Sequence, residues 1–236
     1  GYWPVNWGLY QTNRQAYFAR LDQVVKLAGQ HGIGFLPSLS WHTPTISDLV
    51  SEPVDQWGNA ASRTHAFMRN YVQEVVTRYR DSPAIWAWEF GNEFNLQADL
   101  PNAAEHRAPV HPTLGTAASR STRDDLTHAH IRTALNEFAR EVRRYDPHRL
   151  ILSGNAFPRP SAWHQQHERS WQRDDPEHWA EMLAADNPSP INSLSGRLYS
   201  TNDLTALPLA MALSRKSGKP LFIGEFGVAG AMTEPA

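Results

Sequence analysis

The chain has 236 residues, with 22 basic and 24 acidic side chains and a formal net charge of −2. This balance gives neither the basic footprint of a nucleic-acid binder nor a polybasic membrane anchor, and no apolar run approaches the roughly 20 residues of a membrane-crossing helix. The absence of cysteine excludes disulfides, thiolate metal sites and a cysteine nucleophile.

The chain opens on GYWPVNWGLYQ, which reads as an aromatic loop broken by a proline, with no basic and apolar stretch of the kind that makes a signal peptide. Residues 14–30 follow as an amphipathic helix with Phe18, Leu21, Val24, Val25 and Ala28 in phase, capped by Thr12 or Asn13. GIGFLPSLSWH (32–42) reads as a buried strand, residues 61–80 as a second helix and AIWAWEFGNEFN (84–95) as the next strand. Residues 96–123, rich in Pro, Ala, Ser and Thr, read as one long loop, a length that often carries function. A helix over 124–145, a strand over 149–153 with the exit loop GNAFPRPSAWH, a helix over 176–186, a strand over 191–200, a helix over 206–216 and a strand over 220–227 complete the pattern. Strict alternation with near-continuous apolar strands predicts an α/β fold built on a parallel sheet, either doubly wound or a (β/α)₈ TIM barrel. No G-x-G-x-x-G or P-loop follows any strand, which weakens the doubly wound, nucleotide-binding option. The strands instead end in polar and aromatic residues, where barrel enzymes build their sites.

Two strands end in a carboxylate: WEFGNEF with Asn92 and Glu93, and FIGEFG with Glu225. A carboxylate at the end of an apolar strand is costly unless paired or functional. Two of them converging on one barrel mouth fit glycoside hydrolysis, in which one carboxyl protonates the leaving oxygen and the other attacks or activates water. With these motifs, WAWEFGNEFN and GKPLFIGEFG, the chain resembles glycoside hydrolase family 5, a family of retaining (β/α)₈ glycosidases. The resemblance implies that Glu93 is the general acid/base, Glu225 the nucleophile, Asn92 a hydrogen-bond partner of the sugar 2-hydroxyl and Tyr199 a support for Glu225. The elements fit strands 3 to 7 of such a barrel; strands 1, 2 and 8 have no candidates, so residues 1–236 are read as a single barrel domain truncated at both ends. Arg197 stands where the family usually carries a histidine two residues before that tyrosine, and either adds positive charge at the site or points away. The substrate implied is a β-1,4-linked polysaccharide, glucan first and mannan second, with no cofactor or metal, a monomeric protein, and secretion or a periplasmic location. A non-catalytic carbohydrate-binding relative and an inactive fragment are the alternatives.

Other residues complete the expectation. Trp41 and His42 are read as sugar-facing at the end of their strand, with rim packing as the alternative. Trp3, Trp7 and Trp163, in loops, are read as bordering the same mouth, and Phe94 and Asn95 as touching the leaving-group side. Trp86 and Trp88 are read as core, Glu89 as an interior charge paired with a buried base, and the 11 histidines as surface residues rather than metal ligands, since no H-E-x-x-H pattern is present.

Overall fold

Pro4 begins a helix rather than interrupting a loop. In the computed structural model the described residues are 4–111 and 116–227, without the side chains of residues 4–6. Helix α1 spans Pro4–Thr12, with proline at the first helical position, where its missing N–H costs nothing. Its Trp7 and Tyr10 are buried against Phe67 and Tyr71, Trp7 lying 4.5 Å from the Tyr71 ring. Helix α2 (Arg14–Gln30) starts where expected, with the Asn13 side chain accepting from the Ala16 N–H. Strand β1 (Ser38–Trp41) and a short helix α3 (Thr45–Leu49) follow. The remaining order is α4 (Arg63–Tyr79), β2 (Ala87–Gly91), α5 (His128–Tyr145), β3 (Leu150–Leu152), α6 (Ala162–Glu168), α7 (Pro176–Ala185), β4 (Leu194–Leu198), α8 (Thr201–Ser217) and β5 (Leu221–Phe226).

Every strand pairing is parallel, as the alternation predicts. β1, β2 and β3 form one sheet in that order, and β4 pairs with β5 in a second. β3 and β4 are joined mainly by side chains, with one backbone bond from Asn192 N–H to the Ile151 carbonyl at 3.4 Å and no ladder. The Asn192 amide oxygen accepts from Ile151 N–H at 2.8 Å, and the Asn187 oxygen accepts from Ser153 Oγ at 2.6 Å and Ser195 N–H at 3.2 Å. Five parallel strands with helices between them describe an arc of an incomplete (β/α)₈ barrel. No helix among the described residues is long and apolar enough to cross a membrane.

The core lies between the first sheet and α1, α2, α4 and α5, around Trp57, Trp88, Phe90 and Phe138. A smaller cluster of Phe157, Trp179, Leu183, Leu194 and Ala210 sits under α7 and α8. Trp88 is buried and donates to Asp146 at 2.8 Å, whereas Trp86, expected in the core, is 63% exposed. It precedes the first residue of β2, and its ring lies across Gly34.

Further helices differ from the sequence reading, α5 among them, which begins at His128 instead of 124. α8 begins five residues earlier than expected, at a reciprocal cap in which Ser200 and Asp203 exchange side-chain-to-backbone hydrogen bonds, and it runs through Pro208. The segment after β3 contains α6 in place of a continuous loop. The 96–123 excursion is pinned by ion pairs from Arg120 to Asp48 at 2.7 Å and from Arg107 to Asp125 at 2.6 Å. Several histidines are interior, contrary to expectation. His65 is fully buried, and His128 and His164 each meet a buried aspartate, Asp186 at 2.7 Å and Asp174 at 2.6 Å, which satisfies a ring nitrogen that burial would otherwise strand.

Candidate active site

The apolar run of β2 stops at Gly91, where any Cβ would press on the Phe94 ring. The next two residues leave the strand held by its neighbours. Asn92 N–H donates to the Trp41 carbonyl at 2.7 Å, and Glu93 N–H donates to the Gly154 carbonyl at 2.9 Å. Glu93 itself adopts φ 53° and ψ 35°, a left-handed conformation uncommon for a residue with a Cβ, and Trp41 on the adjacent strand end has φ 49°. Such strain costs on the order of 1 kcal/mol per residue and persists where surrounding contacts over-determine it, often at functional sites.

Glu225 stands in β5, in register with Arg197 of β4. Tyr199, at the exit of β4, donates from its hydroxyl to Glu225 Oε2 at 2.6 Å. On the other carboxylate oxygen, Arg197 Nε lies 3.2 Å from Oε1. The arginine therefore points into the site. It also meets Glu89, 3.8 Å away, as the expected interior ion pair, and donates from Nη2 to the Gly154 carbonyl at 3.2 Å.

Charge is unevenly placed around Glu93. Its burial raises the carboxyl above the usual glutamate range, Arg197 opposes this, and Glu225 raises it further, with smaller effects from Arg159 (downward) and Asp203 (upward). A half-buried carboxyl beside a second carboxylate holds its proton more tightly than one in water. The Tyr199 phenol is also raised, chiefly by its hydrogen bond to Glu225.

The structure thus brings Asn92, Glu93, Arg197, Tyr199 and Glu225 together at the C-terminal ends of β2, β4 and β5. Trp41 and His42 lie at the end of β1, half-buried. Burial lowers the His42 pKa, with the Asp48 and Arg120 charges acting on it in opposite senses.

Four other expected sugar contacts are elsewhere. Phe94 is buried and packs edge-on against Trp57 and Phe90. Asn95 is 3% exposed, and both ends of its amide are taken by the Ala156 backbone, at 2.9 and 3.1 Å; it fastens the β2 exit to the β3 exit. Trp7 is an aromatic core residue of α1, touching with Trp41 a cavity of about 380 Å³ beside β1. Trp163 has no open face for a sugar, because His178 stacks on it at 3.8 Å and His167 covers it at 4.2 Å. Trp3 lies outside the described residues.

The sequence reading missed Gly154, Arg159 and Asp203. Gly154, at φ 72°, packs against the Gly91 carbonyl and the Glu89 side chain. Arg159 donates to the Leu96 carbonyl at 2.8 Å. A signal existed for Asp203, since Ser200-x-x-Asp203 is a helix-capping pattern.

The sequence pattern of the cellulase family (glycosyl hydrolase family 5) matches residues 3–234. A probable mannan endo-1,4-beta-mannosidase C of Aspergillus terreus is 36% identical over 90 residues, 36% of this chain and 18% of that protein. A probable mannan endo-1,4-beta-mannosidase F of Neosartorya fischeri is 38% identical over 85 residues, covering 33% and 18%. Among solved structures, the endo-beta-1,4-mannanase from Thermotoga petrophila superposes with a TM-score of 0.59 at 15% identity, over 92% of this chain and 47% of its own. The endo-1,4-beta-mannanase from Rhizomucor miehei gives 0.58 at 15%, over 90% and 60%. The aligned part of this chain therefore spans about a fifth of the curated relatives and about half of the solved ones.

Proposed function

Because the chain belongs to glycosyl hydrolase family 5, we propose that it hydrolyses β-1,4-linked polysaccharide with retention of configuration, β-mannan ahead of β-glucan. The mannan-degrading relatives support that order, the reverse of the order read from sequence. The observation that carries the reading is the treatment of the two glutamates. Glu225 meets a hydrogen bond from Tyr199 on one carboxylate oxygen and the Arg197 guanidinium on the other, while burial, opposed by Arg197 and helped by the charge of Glu225, raises the Glu93 carboxyl above the usual glutamate range.

In the first step Glu225 attacks the anomeric carbon as the bond to the glycosidic oxygen breaks, and the Glu93 proton passes to that oxygen. This leaves a glycosyl ester on Glu225. In the second step Glu93, now a carboxylate, takes a proton from water as the water oxygen attacks the same carbon, and Glu225 leaves as a carboxylate. Trp41 and His42 are proposed to face the bound sugar and Asn92 to donate to its 2-hydroxyl. Residues 1–236 are proposed to be part of a single barrel domain acting as a monomer outside the cytoplasm, since a polymeric substrate does not enter cells.

The test is reducing-end release from β-mannan and β-1,4-glucan by the wild type, Glu225→Gln and Glu93→Gln. Release is expected to vanish in Glu225→Gln and to fall by about 10²–10⁴-fold in Glu93→Gln. An aryl glycoside whose leaving group needs no proton should recover the first step in the latter. Undiminished release in Glu225→Gln, or a first-formed product of inverted configuration, refutes the proposal.

A further inference from the structure

Arg197 is 4% exposed and reaches four groups from the middle of the site. Its Nε faces Glu225 at 3.2 Å, and its Nη2 lies 3.2 Å from the Gly154 carbonyl, 3.5 Å from Asn92 Oδ1 and 3.8 Å from Glu89. Its Nη1 occupies the space where Gly224, the residue before Glu225, would carry a Cβ. Although buried, Nε and Nη1 have no aligned acceptor among the described residues. A guanidinium placed for stability alone would fill its donors, since an incompletely bonded buried ion pair contributes little. The arrangement instead trades saturation for a fixed position against Glu225.

We propose that Arg197 is a positioning residue that ties Glu225 to Glu89 on the sheet floor, fixes the plane of the Glu225 carboxylate, and turns the Asn92 amide nitrogen toward the substrate. The proposal rests on reading Glu225 as the nucleophile. Asn92 Oδ1 accepts from Arg197, which leaves Nδ2, a donor only, for a sugar hydroxyl. Arginine suits the task better than lysine because its planar fork serves several acceptors at once and keeps its charge at every working pH. The glycine at 224 follows from the same geometry, because only a residue without a side chain admits the guanidinium beside the nucleophile.

The experiment compares wild type with Arg197→Gln, Arg197→Lys and Gly224→Ala by pH–rate profiles on β-mannan, and by carbon-13 titration of the Glu93 carboxyl, which needs no turnover. The charges facing Glu93 are Arg197, Glu225, Arg159 and Asp203. Removing the Arg197 charge leaves Arg159 alone opposing the upward pull. In Arg197→Gln the Glu93 titration and the basic limb of kcat/KM should move up by at least about 0.5 pH unit. kcat should fall roughly 100-fold, with KM within about threefold, as expected for a misplaced reacting group. Arg197→Lys should keep the limb near the wild-type position and recover only part of kcat. Gly224→Ala, which displaces the guanidinium without changing charge, should lower kcat at least about tenfold with the limb in place.

An unmoved Glu93 titration in folded Arg197→Gln overturns the proposal, as does a kcat close to wild type. If Arg197→Gln does not fold, wild-type kcat in both remaining variants overturns it. Wild-type turnover that depends on Glu225 separates this failure from failure of the hydrolase reading.

Discussion

Gly154→Ala probes the joint on which the site hangs. Gly154 holds φ 72°, and its carbonyl accepts from both Glu93 N–H and Arg197 Nη2. A methyl group there would overlap the Gly91 carbonyl oxygen and press on Glu89 Cγ and Cδ at 2.9 Å. The left-handed conformation costs alanine about 1–2 kcal/mol, and overpacking against backbone adds about 1–3 kcal/mol. A total near 3 kcal/mol corresponds to a fall in Tm of roughly 6–12 °C for a domain of this size. Backbone relief requires the β3 exit to move away from β2, carrying the acceptor of Glu93 with it. Displacements of about 1 Å at a reacting group can cost about 100-fold in rate, so kcat on β-mannan should fall at least tenfold. Calorimetry and initial rates on the purified variant are the assay. A variant with Tm within about 2 °C of wild type and undiminished kcat would refute the claim that this glycine is required.

Two further outcomes concern stability. Asp146 is pushed up by burial but held down to about 2 by hydrogen bonds from Trp88, His148 and Arg149. A folded-state pKa below the unfolded value near 3.9 contributes about 2–3 kcal/mol that is fully present above pH ~4 and lost as pH falls toward 2. Asp146→Asn should therefore lower the urea midpoint at pH 7 and flatten the acid slope between pH 4 and 2; identical slopes in variant and wild type would contradict this. Asn95→Ala should destabilise by about 2–4 kcal/mol, because two backbone groups of Ala156 lose their buried partners. It should leave KM unchanged in the fraction that folds, and a raised KM with wild-type stability would return Asn95 to the cleft.

The strands were legible because parallel strands covered by helices on one face and barrel interior on the other carry near-continuous apolar residues, as LFIGEF does. The carboxylates were legible because such runs rarely end in charge. The starts of helices were harder. The helix expected over 206–216 begins at Thr201 and runs through Pro208, and the cap at Ser200 was the better guide. Pro4 reads as a break when it is a first-turn residue. Tryptophans were misplaced for a different reason. Sequence gives the size of an aromatic ring but not what covers its faces, so Trp163 between two histidines looks the same as Trp163 open to solvent. The inward direction of Arg197 could have been taken from strand alternation, which puts it on one face with Ser193, Ser195 and Tyr199. Its partners could not, since Glu89 and Glu225 come from strands far apart in sequence.

The division of the strands into two sheets has a mechanical consequence. Glu93 belongs to one leaf and Glu225 to the other, and asparagine side chains stitch the leaves where a ladder would otherwise run. A few side-chain bonds yield more readily than a row of backbone bonds. In the proposed mechanism the carboxyl spacing decides the chemistry, since a change of a few ångströms, from about 5–5.5 to 6.5–9.5 Å, separates direct attack from attack through water. If the two glutamates act as proposed, Asn187 and Asn192 hold the leaves that carry them, and substitutions in the loop between α7 and β4 would alter the carboxyl spacing without touching a glutamate.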